Sequence, residues 1–270
     1  MKLPQIISTL VEEPMVLNPT THASLLRLMD RHQSGERADR HGVDSCGDDV
    51  ELEQATLIDG IMHIPVNGPI GRCLGSFEKG AGCVDVGDIT EEIDKAEEDP
   101  MCRGIVFHVD SPGGMYSGTP ECANRIAQCE KPTAAFIPGA ACSGAYWLAC
   151  ACDFVCATVS ADIANIGVYC YLLDWSESYK QAGVKPELIT SGPYKGAGSP
   201  GIPLTKVQRD HLQERVNEMA QQFYDHVQTN RPDVQMEDMQ GQCWVAPTAL
   251  EKGFLDMIVN DVEEVVALLG

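Results

Sequence analysis

At 270 residues, 44% hydrophobic and 22% charged, the chain has material for one large core or two small ones. Forty acidic against 19 basic residues give a formal charge of −21, which repels phosphate backbones and anionic lipid and argues against nucleic acid as a partner. No run approaches the roughly 18 apolar residues of a membrane span, and the first apolar stretch, broken by Glu12 and Glu13, is not a secretory signal.

Residues 1–53 read as a separate preface. Asn18-Pro19-Thr20 opens a helix carrying Leu25, Leu26, Leu28 and Met29, a wholly polar stretch follows, and Cys46 to Glu53 is an acidic linker. From residue 54 to the C-terminus the rhythm is α/β. Two strand-like runs flank Asp59-Gly60, a tight hairpin turn. Asp88 with Glu91 predicts a capping box for a helix with Ile89, Ile93 and Ala96 on one face. The strand Gly104–Val109 leads to Asp110-Ser111-Pro112-Gly113-Gly114. Thr119 is then the expected cap of a helix with Pro120 at its first position.

Thr133–Ile137 is a buried-type strand, and Ala145 onward is helix-forming. Phe154–Thr158, Ile166–Leu173, Pro186–Thr190 and Phe254–Ile258 read as further strands. Asp174 caps a short helix stopped by Gly183. Thr205 with Gln208 caps the longest helix, whose stripe is Leu212, Val216, Met219, Phe223 and Val227. A short helix stopped by Gly253 and a terminal helix close the chain. Alternating strands and helices without an internal repeat predict a mostly parallel sheet with flanking helices.

Twelve cysteines without a secretory signal indicate a reducing compartment, here the cytoplasm. Cys142, Cys150, Cys152, Cys156 and Cys170 fall at apolar positions and act as small hydrophobes. Cys150 and Cys152 have no second ligand pair at a usual spacing, so no metal is expected, and no cofactor is called for.

The most informative stretch is Gly139-Ala140-Ala141-Cys142-Ser143-Gly144-Ala145-Tyr146. Strand, small-residue turn, serine, helix is a way to present a nucleophilic hydroxyl at a helix N-terminus, with the Gly144 N–H beside it. Gly113-Gly114 is a second turn whose backbone N–H groups can point at a carbonyl oxygen, as an oxyanion hole requires. Lys195 lies in Ser191-Gly192-Pro193-Tyr194-Lys195-Gly196-Ala197-Gly198-Ser199-Pro200, a loop with almost no other charge. In this order, with Ile166-Gly167-Val168 and the closing Trp244–Asp256 segment, the chain resembles the signal peptide peptidase A (protease IV) family of serine peptidases. The resemblance runs from about Ile61 to Ile258.

It implies a Clp-protease/crotonase-type fold and a serine–lysine dyad: Ser143 as nucleophile, Lys195 as base, and Gly113, Gly114 and Gly144 as oxyanion donors. No histidine lies between the strand before Ser143 and the helix near Thr205, so a Ser-His-Asp triad is poorly supported. A lysine base must lose its proton near neutrality although a free lysine has a pKa of about 10.4, which apolar burial achieves. Lys180, Lys185 and Lys206 sit at helix ends or beside acids and should stay charged. Where the family has a serine that orients the lysine amine, this chain has Asn165, whose side-chain oxygen can accept the same bond. Cys142 is expected to pack beneath the turn.

Within the family the chain resembles the soluble, phage-associated branch that processes capsid or scaffold proteins. This implies an endopeptidase with no membrane anchor, working on peptide or protein substrates as a homo-oligomer with a site completed between subunits. Processing of signal-type peptides is the sibling alternative. A catalytically impaired structural or capsid-associated subunit is the alternative that Asn165 favours. An acyl-CoA enzyme of the crotonase type would use glutamates, and none occurs between Glu130 and Glu177.

Overall fold

A computed structural model describes residues 15–17 and 54–270. The expected N-terminal helix and the acidic linker therefore lie outside the described residues. In chain order the strands are β1 (Met15–Leu17), β2 (Thr56–Ile58), β3 (Ile61–Asn67), β4 (Ile70–Gly71), β5 (Val84–Asp85), β6 (Gly104–Asp110), β7 (Gly113–Met115), β8 (Thr133–Ile137), β9 (Ala140–Cys142), β10 (Phe154–Ala157), β11 (Asp162–Ala164), β12 (Cys243–Val245) and β13 (Met257–Ile258). The helices are α1 (Ser76–Gly80), α2 (Val86–Glu98), α3 (Thr119–Ala127), α4 (Gly144–Ala149), α5 (Ser176–Gln181), α6 (Lys206–Asn230), α7 (Ala246–Glu251) and α8 (Val262–Val266).

The main sheet has the order β13-β10-β8-β6-β3-β2 and is parallel throughout except at the β2–β3 hairpin. Asp59 and Gly60 turn that hairpin with φ of 47° and 82°, the double left-handed geometry that a two-residue turn demands. Two small sheets, β1-β7-β4-β5 and β12-β11-β9, stand beside it. A parallel bridge between Ser111 and Ala141 ties the turn after β6 to β9. The result is an α/β fold with a mostly parallel sheet and flanking helices.

The core explains these elements. Strand β6 is buried on both faces, as a central parallel strand must be, and Ile89, Ile93, Ala96, Cys122 and Ile126 cover one side of the sheet from α2 and α3. Val265 of α8, with Val259 and Leu269 beside it, packs against Ile61, Val106 and Phe136 on the other. Thr205 and Gln208 do form the capping box of α6, but only Phe223 and Val227 of its apolar stripe are buried, whereas Leu212, Val216 and Met219 stay partly open.

Several expectations need correction. The cap of α2 is Asp85, whose carboxylate accepts from the Gly87 N–H, so the expected Asp88–Glu91 box is displaced by one turn. Helix α3 is capped by Gly118 at φ 90°, while Thr119 sits inside it with its hydroxyl donating to the Met115 carbonyl. The strand expected at Ile166–Leu173 is absent: β11 stops at Ala164 because Ala164 and Asn165 take φ of 84° and 51°, and beyond them only Tyr169 makes a strand-like bridge, to Met15. Residues 186–190 are not a strand either. They find no sheet edge, and Leu188 and Ile189 remain exposed. The strand expected over Phe254–Ile258 is confined to β13.

Candidate active site

Ser143 is the single residue between β9 and α4. It holds φ 55°, ψ −121°, a region that a side-chain-bearing residue rarely adopts. Its N–H donates to the Ala164 carbonyl at 2.6 Å, and its carbonyl accepts the Trp147 N–H at 3.0 Å, so the turn is bonded from both sides. Large side chains downstream clamp it. Trp147 is buried and stacks on Phe223 with ring centroids 4.2 Å apart, and the Tyr146 hydroxyl donates to the Phe254 carbonyl at 2.8 Å. Upstream, a Cβ at Gly139, just before β9, would fall 2.6 Å from the Asp110 carboxylate, which would have to shift to admit any larger residue. A sharp strand-to-helix turn whose strain is held by its surroundings is how serine hydrolases aim a hydroxyl.

The Ser111–Gly114 turn lies against this elbow. The Cys142 N–H donates to the Ser111 carbonyl at 3.1 Å, and the Ser111 N–H donates to the Ala140 carbonyl at 2.8 Å. Gly113 takes φ 93°, and its N–H reaches the Ser111 hydroxyl at a long 3.2 Å. That hydroxyl donates in turn to the Gly68 carbonyl. Gly114 is glycine for a different reason: a Cβ there would sit 1.9 Å from the Ile70 carbonyl oxygen of the adjoining strand. The two residues are thus glycine for different reasons, and Gly144 opens α4 with a first-turn N–H that has no intrahelical acceptor.

Asn165 stands close by, beside the Ala164 carbonyl that holds Ser143. Its N–H donates to the Gln242 carbonyl and its side-chain Nδ2 to the Gly241 carbonyl, both at 2.8 Å. The 241–242 turn is therefore a support of the site that sequence reasoning missed. Cys142 packs beneath the elbow with its Sγ 3.6 Å from the Cys243 Sγ. The hydrogen bond to Cys243 and then burial push the Cys142 thiol up, and the same bond draws Cys243 down. Cys142 is held as a thiol, a poor nucleophile.

Lys195 lies on the surface. It is exposed and lines a cleft of about 320 Å³ with Cys170, Leu172, Tyr194, Gln208, His211 and Arg215, among others; Ser143 does not line it. Ser143 itself is 1% exposed. Hydrogen bonds tie together the serine turn, the Ser111–Gly114 turn and the 164–165 segment, whereas Lys195 is exposed and lacks the expected apolar burial among the described residues. The segment that carries Lys195 also exposes Tyr171, Trp175, Val184, Leu188, Ile189 and Tyr194. Among the described histidines, His108 is paired with His63, Nε2 to Nδ1 at 2.7 Å, in the main sheet, His211 is a half-exposed residue against the Tyr194 ring, and His226 lies against the Trp147 ring with centroids 6.1 Å apart.

A strained serine between a parallel strand and a helix, flanked by a glycine turn, is the arrangement in which serine hydrolases present a nucleophile. The comparisons with known proteins carry this one step further. Residues 125–269 match the model of peptidase family S49, and the chain belongs to that family. The matched span holds Ser143, Asn165 and Lys195 but not Gly113 or Gly114. Among relatives, capsid assembly protease C of Escherichia phage lambda is 27% identical over 98% of this chain and 65% of its own length. The head-tail preconnector protein GP5 of Enterobacteria phage P21 is 28% identical over 76% and 42%. Protease 4 of Haemophilus influenzae is 26% identical over 71% and 32%. The chain thus spans less than two thirds of the length of each.

The resemblance to signal peptide peptidase A, with a phage branch, holds. Among solved structures, a ClpP1 mutant from Listeria monocytogenes gives a TM-score of 0.49 at 9% identity over 74% of this chain and 92% of its own. An enoyl-CoA hydratase/isomerase family protein from Silicibacter pomeroyi gives 0.48 at 14% identity over 80% of each. The fold class rests on the strand order of this chain. No helix among the described residues is long and apolar enough to cross a membrane.

Proposed function

We propose that the chain is a serine endopeptidase that forms an acyl-enzyme on Ser143, with Lys195 of a neighbouring copy as the base. The observation that supports the reading is the strained backbone of Ser143, in a turn that opens helix α4 at Gly144 and is hydrogen-bonded through Cys142 to the Ser111–Gly114 turn. Ser143 Oγ attacks the scissile carbonyl as the lysine amine takes its proton. The two N–H groups receive the oxyanion, and the proton passes to the departing amine. Water then hydrolyses the ester by the same route in reverse.

The intersubunit lysine is supported by its position. Lys195 is exposed, lines a cleft without Ser143, and rides on a segment whose apolar side chains are open to a partner. Covering that segment would both bury the apolar residues and remove water from the amine, which favours its neutral form. The names of the phage relatives support a capsid or scaffold protein as substrate, in line with a charge of −21 that steers the chain away from nucleic acid. Mixing inactive Ser143→Ala protein with inactive Lys195→Ala protein tests the arrangement. Recovery of peptide hydrolysis is expected on mixing, and no recovery in oligomers proven mixed by native mass spectrometry would defeat it.

A further inference from the structure

Strand β1 lies against the candidate site. Its register is antiparallel to β7, with Met15 opposite Met115, Val16 opposite Gly114 and Leu17 opposite Gly113. Gly113 is the residue whose N–H is offered to an oxyanion. On its other edge β1 meets the chain that follows Asn165: the Met15 N–H donates to the Tyr169 carbonyl at 2.8 Å, and the Tyr169 N–H donates to the Met15 carbonyl at 3.0 Å. Met15 thus spends both its backbone groups on Tyr169. By the alternation of antiparallel ladders, Val16 is left to pair with Gly114. The Met15 side chain is buried at 1% exposure.

Three consecutive residues are therefore held as an extended strand between two backbone edges, β7 on one side and Tyr169 on the other. They run toward the turn that faces Ser143. Main-chain pairing on both edges, with a pocket for an apolar side chain, is the way an extended peptide of relaxed sequence is recognised. We infer that this slot is a binding site for an extended apolar peptide and that Met15–Leu17 is its intramolecular occupant, which a substrate must displace. The inference rests on the peptidase reading for the identity of the competitor, though not for the slot itself.

The test uses the full chain and its Val16→Pro variant, since proline removes the N–H that faces β7. Three quantities are measured: the rate of covalent labelling by a fluorophosphonate, amide exchange at Gly113–Met115, and the thermal midpoint. The variant should label roughly 2- to 10-fold faster, the factor that one backbone hydrogen bond is worth. Its β7 amides should also exchange faster. A synthetic peptide of residues 11–20 should return both to wild-type values. A milder variant, Met15→Ala, should shift both in the same direction and guards against misfolding. A lowered midpoint with unchanged labelling and unchanged β7 exchange would overturn the inference and make β1 a purely structural strand. If neither protein labels while exchange and peptide rescue behave as stated, the slot stands and the assignment of Ser143 falls.

Discussion

Ser143→Gly separates the cost of the elbow from its chemistry. With φ 55° and ψ −121°, Ser143 occupies a region in which a non-glycine residue costs about 1–3 kcal/mol. Glycine relieves that strain but gives back roughly 0.5–1 kcal/mol through the extra freedom of the unfolded chain. Alanine keeps the strain and removes the same hydroxyl, so the comparison of Gly with Ala cancels the loss of the oxygen. The difference should favour glycine by about 1 kcal/mol, or roughly 2–4 °C for a protein of this size. Thermal unfolding of both variants at one pH and protein concentration reads it directly, and both should be inactive towards peptides. A glycine variant less stable than the alanine variant would refute the claim that the turn is strained and held by its surroundings.

Lys195→Arg should be as inactive as Lys195→Ala in peptide hydrolysis, because a guanidinium does not release its proton near neutrality; substantial activity in the arginine variant would remove Lys195 from the mechanism. Asn165→Ser should keep or raise turnover, while a lost Nδ2 bond to Gly241 and a serine at φ 51° should lower the melting temperature by a few degrees. Gly114→Ala should fail to fold or lose several kcal/mol, since its Cβ would lie 1.9 Å from a carbonyl oxygen, and circular dichroism with denaturant titration measures it. Burial holds the His63 imidazole below its usual pKa of 6.5, with Glu263 opposing weakly. The unfolded chain then binds the extra proton first, so stability should fall as pH drops below about 6.5, and His63→Gln should flatten that part of the melting-temperature profile.

The hairpin at Asp59-Gly60, the buried strand β6 and the Thr205–Gln208 cap were legible because each is fixed by local rules: turn chemistry, continuous apolar character and a capping box. The Ser143 turn was legible as small residues between a strand and a helix. Its backbone strain was not, for it depends on the Ala164 carbonyl and on Trp147 locked against Phe223, contacts that span many residues. The segments 166–173 and 186–190 misled because alternating apolar residues specify a strand only where a sheet edge exists to receive them. Leu188 and Ile189 keep that apolar character and stay exposed among the described residues. The 241–242 turn that braces Asn165 lies 76 residues away in sequence and left no local signal.

The central claim is that Ser143 is a nucleophile activated by Lys195. Fluorophosphonate labelling followed by peptide mapping tests it most directly. The predicted result is a single adduct on Ser143 that forms in the wild-type protein, is absent in Ser143→Ala, and is lost or strongly slowed in Lys195→Ala. An adduct on another residue, or labelling of Ser143 at an undiminished rate without Lys195, would contradict it.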